Sequence, residues 1–264
     1  MKLTFIGVGS AFALKNLNSN MLIEDKDGKR LMIDCGCTAQ KAMDDMGLNA
    51  FDVDALYVSH QHADHVGGIE WLGFSRYFMQ AKKPLPDLYV NEKLAASLWN
   101  DTLRGGMRSH QGVVLELDSF FTKVHRIKRN RSFVWGDGIF QPIQTIHVMD
   151  GYEVVPSYGL MIQTEDTEGD VREAFLTTDT QFCPRQIEDF YKRAWIIFQD
   201  CEAAPYKSGV HAHYEDLRTL APEIKSKMWL YHYPDAVNAD DTWEKKASDD
   251  GFAGFVKKGQ SFDI

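Results

Sequence analysis

Short apolar runs bounded by polar or glycine-containing turns recur along the whole chain, and amphipathic stretches lie between them. In the first half the runs at 2–6, 20–24, 30–34, 54–59 and 87–90 predict strands. Helical patterns fall at 38–46 (closed by Gly47), 67–79 and 91–104. The second half repeats the mixture, with strands near 139–146, 158–163, 172–177, 194–198 and 228–231, and helices near 184–191 and 214–220. A last strand-like stretch covers 252–257. Strands in both halves with helices between them predict an α/β sandwich of two sheets covered by helices. No internal repeat, low-complexity tract or long linker divides the chain, so residues 1–264 are expected to form one domain.

Composition is that of an ordinary soluble globular protein. The chain has 264 residues, 44% hydrophobic and 25% charged, enough to build a core without disulfides. Its net charge of −9 gives no global attraction for nucleic acid or an anionic membrane. The four cysteines (Cys35, Cys37, Cys183 and Cys201) make no disulfide framework, and the C-x-C spacing is not that of a structural zinc site. No run reaches the length of a membrane span and no signal-peptide pattern opens the chain, so a cytoplasmic setting is expected. One segment departs from the acidic average. Arg104, Arg108, Lys123, Arg126, Lys128, Arg129 and Arg131 stand against only Glu116 and Asp118. This is a solvated surface ribbon, or a phosphate-attracting patch beside a site.

The chemistry concentrates at His60-Gln61-His62-Ala63-Asp64-His65, on the loop that leaves the 54–59 strand. Neutral imidazoles and carboxylates are natural zinc ligands, and residues two apart on an extended segment point the same way. His60 and His62 can therefore clasp one cation, while Asp64 and His65 face a second position. His147, Asp179 and His232 each follow an apolar strand-like run, the same placement as the first cluster. Together these residues predict a metal centre, with two ions expected.

This arrangement resembles the metallo-β-lactamase superfamily, whose di-metal ligand order is H-x-H-x-D-H, a lone His, a lone Asp and a final His. The resemblance extends to Leu31-Met32-Ile33-Asp34-Cys35-Gly36, similar to the family's early strand ending in Asp-x-Gly. It implies an αββα four-layer sandwich with the metals at one edge between the sheets. Carried over, one metal takes His60, His62 and His147, the other takes Asp64, His65 and His232, and Asp179 bridges them. Asp34 then supports the ligand loop, or simply forms the turn before Gly36. Di-iron relatives carry a carboxylate where this chain has His62, so two zinc ions are favoured, with manganese also admitted.

Further along, Ile196-Ile197-Phe198-Gln199-Asp200, followed by Gly209-Val210-His211-Ala212-His213-Tyr214, resembles the tRNase Z-like phosphodiesterase branch. There a carboxylate orients a histidine that protonates the leaving oxygen. The resemblance makes Asp64, Asp200 and His211 the catalytic residues, with His213 as the other histidine that can donate. Asp200 stands where the branch has Glu, and His213 where it has Thr. Ser157-Tyr158-Gly159 is similar to the same branch. Asn18-Ser19-Asn20, the 200–213 variation and Lys227-Met228-Trp229-Leu230-Tyr231-His232-Tyr233 look most similar to the anti-Pycsar phosphodiesterases. That family implies a homodimer hydrolysing 3′,5′-cyclic nucleotide monophosphates. A tRNA 3′-processing endonuclease is the nearest alternative and a lactonase or thioesterase the second. Phe12, Tyr152 and Tyr233 are aromatics that could stack a base, though each fits core or rim packing as well.

Overall fold

Residues on both faces of most strands are buried, which is why their runs are apolar throughout instead of alternating. The computed structural model describes residues 1–79, 81, 83–166 and 168–264. One seven-stranded sheet contains β1 (Lys2–Gly7), β2 (Asn20–Glu24), β3 (Arg30–Ile33), β4 (Ala55–Val58), β5 (Asp87–Asn91) and β6 (Val124–Ile127). The other contains β7 (Phe133–Trp135), β8 (Gly138–Thr145), β9 (Ser157–Glu165), β10 (Val171–Leu176), β11 (Ile196–Asp200), β12 (Met228–Tyr231) and β13 (Gly254–Phe255). The last strand, β14 (Ser261–Asp263), returns to the first sheet, which is ordered β14-β1-β2-β3-β4-β5-β6. The second sheet is ordered β13-β12-β11-β10-β9-β8-β7.

The twofold periodicity of each strand sorts its side chains into layers. Leu3, Phe5, Met21, Ile23, Leu31, Ile33, Ala55 and Tyr57 turn inward to a core shared with the second sheet. Their neighbours Ile6, Leu22, Met32, Leu56 and Val58 turn outward, against α1 (Ala39–Asp45), α3 (Ile69–Tyr77) and α4 (Glu92–Ser97). Helix α5 (Pro184–Arg193) covers the outer face of the second sheet with Ile187 and Tyr191. The result is the expected four-layer αββα order. Phe5 marks the middle of the inner layer, its ring 5.2 Å from Phe198, 5.4 Å from Tyr231 and 6.1 Å from Phe262.

Within each sheet one half is antiparallel and the other parallel: β3-β4-β5-β6 in the first, β10-β11-β12-β13 in the second. The carboxyl ends of parallel strands are where such sheets place their ligands. Three places depart from the sequence reading. The helix predicted at 67–79 is α3 alone, and a separate short helix, α2 (Ala63–Val66), precedes it, so the candidate ligand segment is itself helical. The helix from Glu92 runs as a wider π turn over Leu98–Leu103 and continues through Arg104–Met107, so Gly105-Gly106 does not break it. Gly106 faces Glu70, whose carboxylate lies 2.3 Å from where a Cβ would stand. Part of the basic segment is the edge strand β6, whose Val-His-Arg-Ile pattern lacked an apolar run; its Arg126 pairs with Asp118 at 2.9 Å.

The inner aromatic layer gives a stability prediction. Phe5→Ala should cost about 3–5 kcal/mol, the usual cost of truncating a buried phenylalanine. Urea unfolding is expected to show a lower midpoint at an unchanged slope.

Candidate metal centre

Strand β4 ends at Val58, and the next seven residues carry the first cluster. His62 sits in extended backbone as the residue before α2, and Asp64 and His65 lie on that helix's first turns. His60 and His62 therefore share the extended segment, while the helical twist turns Asp64 and His65 to a neighbouring direction. The loop after β3 packs directly beneath this helix. A Cβ on Gly36 would stand 1.8 Å from the carbonyl oxygen of Asp64, so only glycine fits. Asn20 Oδ1 accepts from the Gly36 N–H at 2.7 Å, and Asn18 Oδ1 accepts from the Thr38 N–H at 3.0 Å. The Asn18-Ser19-Asn20 run thus clamps the loop that supports the ligands.

Asp34 is fully buried and takes the supporting role, not merely that of a turn former. Its Oδ1 accepts from the Ser59 N–H at 2.8 Å, and its Oδ2 accepts from the Ser59 hydroxyl at 2.6 Å and from His65 Nδ1 at 2.7 Å. Ser59 Oγ, having given its proton to Asp34, accepts from His60 Nδ1 at 3.0 Å. His147 Nδ1 donates to the Val210 carbonyl at 2.7 Å. In each of these three imidazoles Nδ1 carries the proton, so Nε2 presents a lone pair inward.

Those lone pairs converge. His60 Nε2 and His147 Nε2 each lie 3.1 Å from His62 Nδ1. Asp64 Oδ2 lies 3.3 Å from both His65 Nε2 and His232 Nε2. Asp179 Oδ2 stands between the two groups, 3.7 Å from His60, 3.3 Å from His65, 3.6 Å from His147 and 3.5 Å from His232. Three overlapping sets form, His60/His62/His147/Asp179, Asp64/His65/His232/Asp179 and Asp179/Asp200/His211/His232, each with its candidate ligand atoms within 4.8 Å of one another; the first two match the predicted donors. Buried His65 Nε2 and Asp179 Oδ1 have no hydrogen-bond partner among the described residues. Acceptor lone pairs turned toward one another at these distances repel unless a cation lies among them, so the donor set fits metal.

Beside this centre, His211 Nδ1 donates to Asp200 Oδ2 at 2.9 Å and lies 3.9 Å from Asp179 Oδ2. Asp200 Oδ2 also accepts from the Thr180 N–H at 2.9 Å, and its Oδ1 lies 3.3 Å from His232 Nδ1. His213 is turned elsewhere. Its Nδ1 accepts from the Glu215 N–H and its Nε2 donates to the Ala204 carbonyl, so it caps α6 (Tyr214–Leu217). Of the three aromatics singled out in the sequence, Tyr233 is buried with its hydroxyl bonded to the Val256 carbonyl, whereas Phe12 and Tyr152 are exposed.

Comparison with known proteins agrees with this geometry. The model of the family described as "Anti-Pycsar protein Apyc1" matches residues 1–262. The chain belongs to the anti-Pycsar Apyc1 family. It is 33% identical over 247 residues to the Apyc1 protein of Bacillus phage vB_BveM-Goe7, covering 89% of this chain and 90% of that one. Its fold is similar to the metallo-beta-lactamase fold protein YhfI from Bacillus subtilis (TM-score 0.72, 20% identity, 99% and 98% of the two chains covered). It is similar also to the short form of human tRNase Z (TM-score 0.68, 17% identity, 100% and 99% covered). The architecture of this Apyc1 family member is therefore the metallo-β-lactamase fold.

Electrostatics divides the two donor sets. In this Apyc1 relative, burial is the main cause that lowers the pKa of His60, His62 and His147, favouring the neutral imidazole a metal needs. Burial acts in the same direction on His232, but the Asp179 carboxylate, helped by Asp200 and Asp64, pushes it up to about 10. Burial likewise works against Asp179, yet His232 and His65 hold its carboxyl well below the usual range. For His211, burial is outweighed by the charge and hydrogen bond of Asp200, which raise it. Positive charge is thus favoured on the His232 and His211 side of the centre and disfavoured on the His60, His62 and His147 side.

The sequence reading omitted Thr145 and named Ser157 without its role; both hold Asp179 from behind. Thr145 Oγ1 and Ser157 Oγ donate to its backbone carbonyl at 3.0 and 3.2 Å. Asp34, Thr178 and His232 all adopt positive φ, at 59°, 49° and 64°. Backbone strain at non-glycine residues gathers at functional sites, but only coordinates show it. Asp34→Ala should lower metal affinity about 10–100-fold, as loss of a ligand's supporting partner does. Metal content after dialysis at fixed free zinc, measured by mass spectrometry, checks it; full occupancy at wild-type affinity would count against the support role.

Proposed function

We propose that this chain is a metal-dependent phosphodiesterase that hydrolyses 3′,5′-cyclic nucleotide monophosphates to 5′-monophosphates. The name of its relatives, anti-Pycsar protein, supports a role against a cyclic-nucleotide signal of anti-phage defence. The single observation that carries the reading is the Asp200–His211 pair at 2.9 Å, set beside the Asp179 carboxylate. A thioesterase has no need of such a pair, because a thiolate departs without a proton. An alkoxide leaving a phosphodiester does need a proton.

His60, His62 and His147 would hold one cation and Asp64, His65 and His232 a second, with Asp179 shared between them. Zinc suits this nitrogen-rich set, and manganese is the other ion it admits. Such ions lower the pKa of a water and offset negative charge on the phosphate oxygens. The chain's own residues do the rest. Asp200 fixes His211 with its Nδ1–H turned inward, which leaves Nε2 to face the substrate. As the oxygen of a water molecule bonds to phosphorus and gives up a proton, the bond to the 3′ oxygen breaks, and His211 Nε2 delivers a proton to that oxygen. Asp200 stabilises the imidazolium before transfer and keeps the ring in place. Thr145 and Ser157 hold the Asp179 backbone, so the shared carboxylate does not swing away.

We read residues 1–264 as one hydrolase domain acting in the cytoplasm, a setting that suits four free cysteines. Among the described residues no helix is long and apolar enough to cross a membrane. A homodimer would cover the exposed apolar surface formed by Phe78, Met79, Val113 and Val114. There the Phe78 ring lies 5.0 Å from that of His110, which pairs with Val113. Phe78→Glu is expected to shift the sedimentation coefficient from dimer to monomer.

Purified zinc- or manganese-loaded protein should convert cAMP, cGMP, cCMP and cUMP to 5′-monophosphates. Absence of product at high enzyme concentration would sink the proposal. His211→Ala should lower kcat about 10²–10⁴-fold, the range of a general acid, at unchanged metal content. His213→Ala should leave kcat near wild type and cost about 1 kcal/mol of stability, as loss of a helix cap does.

A further inference from the structure

A cavity of about 400 Å³ opens onto the catalytic end of the molecule, with His211 and His232 in its wall. Two loops build the rest, Ser10–Ala13 and the segment from Glu202 to Val210. Larger hollows of about 760 and 690 Å³ lie elsewhere on the surface, and none of the clustered imidazoles lines them. The volume of the catalytic cavity is at the small end of the range for small-molecule sites.

Each loop carries one aromatic ring into this cleft. Phe12 is 94% exposed and Tyr206 is 71% exposed, so neither ring is held by packing. The backbone beneath each ring, in contrast, is firmly tied. The Asp235 carboxylate accepts from the N–H groups of Leu14, Lys15 and Asn16 at 2.8, 3.0 and 2.9 Å. The Ser10 N–H bonds to the Tyr233 carbonyl at 3.2 Å. On the other loop the Glu202 carboxylate accepts from the Ser208 N–H at 2.9 Å, and His213 holds the Ala204 carbonyl. Fixed backbone with a bare aromatic ring is the construction of a stacking platform.

The carboxylates of the cleft are already committed. Asp235 and Glu202 bind backbone N–H groups, and Ser208 Oγ accepts from the Val210 N–H at 3.3 Å. Neither carboxylate is free to read the edge of a base. The exposed rings of the two loops offer faces instead, and every base has a face to set against them.

We propose that Phe12 and Tyr206 are the specificity-determining walls that hold the nucleobase, while the phosphate lies against the His211 end of the cavity. The proposal rests on the phosphodiesterase reading and adds the residues that select the base. Stacking scales with ring area, so purine substrates gain more from the walls than pyrimidines do.

The test compares wild type, Phe12→Ala, Tyr206→Ala, the double variant and Phe12→Trp. Both rings are exposed, so the alanine variants should fold as wild type. Each alanine change should raise KM for cAMP and cGMP roughly 5- to 100-fold, with a smaller rise for cCMP and cUMP. The kcat should stay within about twofold and Phe12→Trp should restore KM, since an indole keeps a stacking face. Unchanged KM for all four substrates overturns the proposal, as does a fall in kcat alone. Calorimetric binding of 5′-AMP and 5′-UMP needs no turnover and separates this failure from that of the phosphodiesterase reading. Base-dependent binding lost in the double variant supports the walls even if no cyclic nucleotide is cleaved. Unchanged binding with an altered sedimentation coefficient overturns them and gives the rings to a protein interface.

Discussion

One carboxylate oxygen, Asp179 Oδ2, lies within 3.9 Å of five imidazoles drawn from both sheets. Burying a single anion costs several kcal/mol, and burying rings against one another without their solvent costs more. The fold therefore has to surround that oxygen with compensating groups, and much of the upper edge of the sandwich serves this end. Asp34, Ser59 and Val210 turn the ring protons outward. Thr145 and Ser157 fix the backbone that bears the carboxylate. The strands themselves set the distances, because β4, β10, β11 and β12 all run out toward the same edge.

Much of this was legible in the sequence, and the reason is physical. Strands buried on both faces leave apolar runs that stand out, and a ligand placed just past each run stands out with it. His60 to His65, His147, Asp179, Asp200 and His232 are all of this kind. What stayed hidden obeys a weaker signal. Edge strands β6, β7 and β14 are short and half-exposed, so their sequences carry no continuous apolar run. Thr145 acts through hydrogen bonds alone, and nothing in a lone Thr distinguishes such a role from a surface one; Ser157 and Asn20 stand out only as parts of motifs, without their roles. Glycines at 105 and 106 look like a helix break, but the Glu70 side chain makes a small residue useful at 106, while Gly105 faces open space.

The contrast between His211 and His213 shows how finely function depends on local geometry. Both follow the same strand and loop, two residues apart. One ring meets a buried carboxylate; the other satisfies a helix N–H and a loop carbonyl. The second histidine is not idle, because it holds the segment that carries Tyr206 and so shapes the cleft. The same economy applies to Asp200, whose two oxygens face His211 and His232. The orientations of His211 and His232 are consequently set by a single side chain.

The topology also dictates when the centre can exist during synthesis. Asp64 and His232 touch, yet they are 168 residues apart in the chain. At ordinary elongation rates the first half-cluster waits roughly 8–34 s for its counterpart to leave the ribosome. Through that interval the inner faces of β1 to β5 have no second sheet to cover them, and their apolar runs are open to mispairing with other nascent chains. The edge of the first sheet beside β1 is closed later still, by β14, the last strand made. Assembly of the donor cluster is therefore a late event of biogenesis, and the expression level of such a chain should respond to chaperone supply before it responds to added metal.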